Sequence, residues 1–435
     1  MRRWILLLSF GVAPAFLFAQ RTIIYCGKLV DPAAGQVLTE MSIIVTGNTI
    51  TGVEKGYVPA SGGTGAAAGD KVIDLKNRTV MPGLIDAHVH VLAVDAALAR
   101  LSDRPVTLLT LQAAKVLEGM LQRGFTTIRD AGGADGGLAE AVEEGLVRGP
   151  RIFPSGSALS QTGGHGDTRP RTQSVVTCAC CEGGAAMSRI ADGVTECRRA
   201  ARDELRKGAT QIKILASGGV ASPYDPIWNL QYSEEEVRAI VEEAQAWHIY
   251  VLAHAYSPEA IRRSIDFGVR SIEHGNLIDH TTAEHVAGAD AFVVPTLVTY
   301  DALHRFGKEF GFPEGSMAKL AEVREAGLGS LEILQRAGVK IGYGTDLLGP
   351  MHRHQSREFV IRAEAMAPYD IIRSATIVNA ELLNRAGELG VIAPGARADL
   401  ISVDGNPLAD ISLLDGQGER LTHIMKDGVF YKTKN

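Results

Sequence analysis

Met81-Pro82-Gly83-Leu84-Ile85-Asp86-Ala87-His88-Val89-His90 is an apolar run entered through a Pro-Gly turn and ending in two histidines. Leu84, Ile85 and Val89 mark a buried strand, and side chains two apart on a strand point the same way, so His88 and His90 share a face. Neutral imidazole is a common metal ligand, and a pair aimed at one point from a strand end supplies half of a zinc-type site. Two hydrogen-bonded core histidines would show the same spacing, so the rest of the chain must decide.

The 435 residues are 46% hydrophobic and 22% charged, with a formal charge of -6. Single cores stop growing at roughly 250 to 300 residues, so one large domain and a smaller one are expected. The mild acidity argues against nucleic acid or an anionic membrane surface as the main partner. With 48 glycines and 6% aromatics, the chain reads as aliphatic strands and helices joined by tight turns, which is an α/β pattern.

Arg2-Arg3, the apolar run 4–18 and Ala19-Gln20 have the parts of a secretory signal. Residues 1–19 are therefore expected to direct export to a periplasmic or secreted location, with cleavage near Ala19. Leu17 stands where a small residue is usual. The run is too short for a comfortable span, so no stable membrane insertion is expected after cleavage. Cys178, Cys180 and Cys181 cluster in one segment, with Cys197 and Cys26 elsewhere. Pairing inside the cluster or to Cys197 would pin a loop, and no nearby histidine completes a metal site.

Short β-type runs occur at 22–25 and 42–45, and again at 398–403 and 422–425. Both ends of the chain are thus expected to build one small β-sandwich domain, residues 20–80 plus 385–435. The Ala/Gly-rich segment 61–69 reads as a flexible loop. Between 81 and 384, strand-like runs at 84–90, 126–130, 151–157, 211–217, 250–254, 269–274, 291–295 and 340–346 alternate with helical ones at 107–123, 196–207, 233–247, 258–268 and 318–337. Eight strands with helices over this length predict a (β/α)8 TIM-type barrel, whose active site forms at the C-terminal strand ends.

Metal-ligand residues stand at several of those ends: His88 and His90 on the first strand, His254 on the fifth, His274 on the sixth and Asp346 on the eighth. Any one would pass as a capping or core group, and together they favour a metal centre. Lys213 lies inside the apolar fourth strand, where an unpaired ammonium costs several kcal/mol. Schiff-base chemistry, a carbamate formed with carbon dioxide, or a structural lysine reaching out of the barrel would each answer that cost, and the surrounding histidines favour the carbamate.

Gly83-Leu84-Ile85-Asp86-x-His88-x-His90, Lys213, His254, His274 and Asp346, with Pro394-Gly395-x-x-Ala398-Asp399-Leu400 in the tail, resemble the amidohydrolase superfamily. Thr162-Gly163-Gly164-His165-Gly166-Asp167, Ile212-Lys213-Ile214-x-x-Ser217-Gly218-Gly219-Val220 and His254-Ala255-Tyr256 resemble its imidazolonepropionase-like branch, which holds bacterial Xaa-Pro dipeptidases (prolidases) and ochratoxin-hydrolysing amidases. The resemblance implies two divalent ions, zinc first among them. His88, His90 and Asp346 would hold one, His254 and His274 the other, and N6-carboxylated Lys213 would bridge them with a hydroxide that attacks the amide carbonyl. It implies that Asp346 takes and returns the proton, and that His165 and Tyr256 grip the substrate carbonyl or carboxylate. Related amidases are commonly octamers or other homo-oligomers, so a homo-oligomer is implied too. Asp86 is expected to support the ligands, and His352-Arg353-His354 to lie on a substrate loop or the surface.

The reading that results is a dinuclear metal-dependent hydrolase acting on C-N bonds of dipeptides or N-acyl amino acids, of the Xaa-Pro dipeptidase or ochratoxin A amide hydrolase type. Imidazolone-like cyclic-amide hydrolysis, a non-catalytic scaffold and a Schiff-base aldolase are the alternatives. Specificity is expected from loops, notably 168–184 and 295–315.

Overall fold

The computed structural model describes residues 21–61, 69–169, 171–172, 187–222, 224–312 and 314–434. The expected export signal, most of the segment 61–69 and the cysteine cluster 178–181 lie outside the described residues.

The chain begins with β1 (Arg21–Asp31), β2 (Gln36–Thr46), β3 (Thr49–Lys55) and β4 (Lys71–Pro82). A series of short strands follows: β5 (Leu84–Val89), β6 (Phe125–Asp130), β7 (Arg151–Pro154), β8 (Ala158–Ser160), β9 (Ser188–Ile190), β10 (Ile212–Leu215), β11 (Val251–Ala255), β12 (Ser271–His274), β13 (Phe292–Val294) and β14 (Lys340–Ile341). The tail returns as β15 (Leu400–Val403), β16 (Leu421–Lys426) and β17 (Val429–Thr433).

Strands from the two chain ends form one sheet in the order β17-β16-β15-β4-β1-β2-β3. Where a sandwich of two sheets was expected, these strands hydrogen-bond continuously, because β15 runs antiparallel to β4 and joins the tail to the leading segment. Ile24, Ile43, Val80, Leu400 and Met425 fill its core.

The middle strands form two sheets, β5-β6-β7 and β14-β13-β12-β11-β10-β8-β9, with every pairing parallel. Strands buried on both faces are near-continuous hydrophobic runs, as in Ile212–Leu215. The sheets adjoin at two seams. At one, the Ala87 N–H donates to Tyr343 O at 2.8 Å, and the Asp346 N–H donates to His88 O at 2.8 Å. At the other, the Thr210 N–H donates to Pro154 O at 2.8 Å, and Gln211 Nε2 donates to Phe153 O at 2.9 Å.

Helices cover this layer: α1 (Val106–Gln122), α2 (Gly136–Glu143), α3 (Gly193–Arg206), α4 (Glu234–Ala246), α5 (Pro258–Asp266), α6 (His280–Gly288), α7 (Leu297–Phe306) and α8 (Glu314–Arg336). Local chemistry sets several starts. Ser233 and Glu236 form a capping box on α4, Ser257 with Pro258 opens α5, and Asp279 caps α6.

Two expectations are corrected. The segment 295–315 is not an open loop throughout, because α7 forms within it, and the Val298 N–H of that helix donates at 2.7 Å to the Glu358 carboxylate. Cys197 is a free, buried thiol, with Sγ 3.6 Å from Ala191 O, so it does not serve as the partner of the cysteine cluster.

Candidate metal centre and substrate cavity

Most candidate ligands stand on or just beyond parallel strands, and the exception is Asp346: the eighth strand, expected over 340–346, ends at Ile341 and leaves it in the segment that follows. His88, His90, His165, Lys213, His254, Tyr256, His274 and Asp346 all line one cavity, which has a volume of about 260 Å³. One ligating atom from each of His88, His90 and Asp346 lies within 4.8 Å of the other two. His88 Nε2 is 3.5 Å and His90 Nε2 3.2 Å from Asp346 Oδ1.

Hydrogen bonds at the outer nitrogens turn the inner ones into the cavity. His88 Nδ1 is 2.6 Å from Glu273 Oε2, His90 Nδ1 is 2.8 Å from Gly132 O, and His274 Nδ1 is 2.8 Å from Thr296 Oγ1. His254 is turned the other way, with Nε2 3.3 Å from Gly218 O, which frees Nδ1. Among the described residues, His88 Nε2 is buried without a hydrogen-bond partner. A buried nitrogen left bare beside a carboxylate, inside a set of imidazoles, fits a cation's donor set better than a finished hydrogen-bond network.

The His274 ring centroid lies 5.0 Å from that of His88 and 4.6 Å from that of His254, so the fifth- and sixth-strand histidines adjoin the first-strand pair. His274 and Asp346 have φ of 75° and 51°. Left-handed backbone at a non-glycine residue is held only where the surroundings impose it, commonly at functional sites.

Burial pushes His88 and His254 well below the ordinary histidine range and His274 to about 3, which keeps all three in the neutral form that binds a metal. Asp346 would be raised by burial, but His88, His90 and His274 hold it below the usual carboxylate range. Burial lowers Lys213 to about 8, so an appreciable share of its amine is neutral near pH 7.

Several supporting residues were not foreseen. Glu273 accepts hydrogen bonds from Arg129 Nη2 at 2.8 Å and Ser271 Oγ at 2.6 Å, so the carboxylate that orients His88 is itself neutralised by a fully buried guanidinium. Asp130 accepts from the amides of Val91, Gly132 and Ala134, which fixes the backbone that carries His90 and its carbonyl partner. The usable signal was a charged residue inside an apolar strand run, the same signal that singled out Lys213.

Asp86 accepts from the His88 amide at 3.1 Å, Thr345 Oγ1 at 2.6 Å and Gln355 Nε2 at 2.9 Å, outside the ligand cluster. His352 departs from the substrate-loop or surface role. It is buried with Nε2 3.1 Å from Ala93 O, and burial lowers it to about 4. His354 is partly exposed and stacks on Phe306 at 5.0 Å.

Elsewhere on the cavity wall, Tyr256 Oη is 3.0 Å from Tyr300 Oη. His165 stacks on His254 at a 4.4 Å centroid distance. Leu98, Leu101, Met187, Leu303 and Leu348 make much of the wall apolar. Arg169, on the rim, is paired with Asp167.

Residues 79–430 match the model of the amidohydrolase family. Ochratoxinase from Aspergillus niger is 32% identical over 431 residues, covering 95% of this chain and 87% of that protein. A prolidase crystallised with N-methylphosphonate-L-proline superposes with a TM-score of 0.91 at 51% identity, over 95% of this chain and all of that one. A Xaa-Pro dipeptidase with methionine bound in its active site gives a TM-score of 0.84 at 32% identity and the same coverage. The chain belongs to the amidohydrolase family and is a hydrolase acting on carbon–nitrogen bonds.

Proposed function

We propose that the protein is a dinuclear metal-dependent amidohydrolase that cleaves the amide bond of dipeptides or N-acyl amino acids, in the manner of an Xaa-Pro dipeptidase or an ochratoxin A amide hydrolase. The observation that carries this reading is the bare, buried Nε2 of His88 facing Asp346 and His90 in a cavity that also holds Lys213, His254 and His274. The two parallel sheets, joined at both seams, are read as one (β/α)8 barrel, and the seven-stranded sheet as a separate small domain.

His88, His90 and Asp346 would hold one ion and His254 and His274 the other. The lowered Lys213 amine suits carbamate formation: its neutral nitrogen would bond to the carbon of carbon dioxide and lose a proton, which would make the side chain an anionic metal ligand. When bound, two such ions supply an activated water and polarise the scissile carbonyl. Asp346, ionised by its histidine surroundings, accepts a proton during attack and returns it to the departing nitrogen. His165 and Tyr256 stand on the cavity wall where a carbonyl oxygen or carboxylate would be met by donors. The apolar wall accepts an aliphatic or aromatic acyl side.

A panel of dipeptides and N-acyl amino acids, assayed with the zinc-loaded enzyme and again after chelation, tests the reading. Turnover of at least one class, lost on chelation and regained with zinc, is expected. Undiminished turnover in the chelated, metal-free protein would overturn it.

A further inference from the structure

The ring of His165 is gripped from both sides. One face stacks on His254. Against it also lies Gly219, where a Cβ would come within 2.1 Å of His165 Cε1, so any larger residue would displace the ring. The neighbouring Gly218 is equally constrained, because a Cβ there would meet Pro226 O at 1.8 Å. This close approach explains the paired glycines of Ser217-Gly218-Gly219-Val220.

The hydrogen bonds of His165 lead to the same segment. His165 Nδ1 is 2.8 Å from Ser222 Oγ and 3.6 Å from Asp225 Oδ2. The Ser222 hydroxyl proton has Gly219 O as acceptor at 3.2 Å, so Oγ is free to accept from Nδ1–H and Nε2 remains for the cavity. The His165 amide donates to Gln231 Oε1 at 2.9 Å. Gln231 Nε2 and the Gly219 N–H both donate to Asp225 Oδ2, at 3.2 and 3.1 Å. Gly219, Ser222 and Asp225 therefore set where the ring sits.

The described residues of 218–229 include no helix or strand, so their shape rests on other contacts. Besides turn hydrogen bonds such as that from the Gly218 N–H to Asn229 O at 2.9 Å, the segment is held by Lys319 on α8, 100 residues beyond Gly219. Lys319 Nζ donates to Gly219 O at 2.6 Å, Ser222 O at 2.6 Å and Asp225 O at 2.9 Å. An ammonium has three donors, and here each meets a carbonyl of one of the three residues that hold His165. No other side-chain type delivers three divergent donors from one atom. The planar fork of arginine spreads its donors over separate nitrogens.

We propose that Lys319 is a positioning residue for the hydrolytic reaction: by gathering the carbonyls of Gly219, Ser222 and Asp225 it fixes the orientation in which His165 meets the substrate. The inference rests on the reading of His165 as a substrate contact. Lys319 does not line the cavity, so its effect on rate passes through the segment that holds His165.

A double-mutant cycle on the metal-loaded, full-length enzyme tests this, with kcat, KM and zinc content measured for Lys319→Met, His165→Ala and the double variant on whichever amide is turned over. Lys319→Met should lower kcat/KM by about 10-fold to 100-fold, the scale of a misplaced contact, with zinc content unchanged. Adding it to His165→Ala should cost nothing further. Additive losses, or full activity in Lys319→Met while His165→Ala is impaired, would overturn the positioning role. Full activity in His165→Ala would instead defeat the substrate-contact reading, and Lys319 would then have nothing to position. If Lys319→Met does not fold, Lys319→Arg, which retains the charge but not the three-carbonyl convergence, runs the same cycle with a smaller loss expected.

Discussion

His88 and His165 face the same cavity, yet one stands on a six-residue parallel strand and the other on a loop between short strands. His88 lies on a parallel strand, its carbonyl accepting from the backbone amides of Thr345 and Asp346, its own amide held by Asp86, and its ring by one buried carboxylate. His165 depends on side chains throughout: Ser222, Gln231, Asp225 and, behind them, Lys319. The proposed metal side thus leans on the framework that also folds the protein, and the proposed substrate side on polar side-chain contacts.

The sharpest way to break this contrast is at Asp346, where framework and chemistry coincide. Asp346→Asn keeps the shape and the backbone bonds to His88 but removes the charge and the proton acceptor. We expect kcat to fall by about 10²-fold to 10⁴-fold, with an unchanged far-ultraviolet circular dichroism spectrum. A variant retaining more than a tenth of wild-type kcat would mean that another group moves the proton.

The next largest effect is expected behind His88. Glu273→Gln weakens the hold on Nδ1 and leaves the Arg129 guanidinium buried with its charge uncompensated. Loss of such an outer partner commonly costs about 10-fold to 100-fold in metal affinity, and breaking a buried pair about 3 to 5 kcal/mol in stability. The double variant Glu273→Gln/Arg129→Met separates the two, since removing both charges should recover much of the lost Tm without recovering zinc affinity measured by chelator competition. Recovery of both together would show that Glu273 acts on the fold and not on the ligand.

The same contrast explains what the sequence disclosed. Ligands at strand ends were legible because an apolar run fixes both the element and the direction of its last side chain, as in Val251-Leu252-Ala253-His254. The His-x-His spacing at 352–354 carried no such information, because in a 3₁₀ turn it does not place two rings on one face, and His352 turned inward to a carbonyl. The helix α7 was missed because its Thr, Val and Tyr content is strand-like and its N-terminal amide is satisfied by Glu358, 60 residues away. Lys319 could not be found by pattern, since a lysine on a helix reads as a solvated one. Only the packed structure brings three carbonyls to its tip.

Acid should loosen the substrate side before the metal framework, and Asp225 gives that expectation its sign. Burial would raise this carboxyl, but hydrogen bonding and charge from His165, with Ser222 and Lys319, hold it down to about 2. An unfolded aspartate titrates near 3.9, so Asp225 stabilises the fold in full above about pH 4, and that contribution is lost as pH falls from there toward 2. The difference corresponds to about 2 kcal/mol. The stability gap between wild type and Asp225→Asn, measured by urea unfolding, should therefore be largest at neutral pH and shrink between about pH 4 and pH 2. Over the same interval, hydrogen exchange at the amides of His165 and Gly219, which donate to Gln231 and Asp225, should accelerate more than exchange at Leu252 or Ala253 inside the parallel sheet. A gap independent of pH, or equal acceleration at both places, would mean that the loop is held by packing and not by the charge of Asp225.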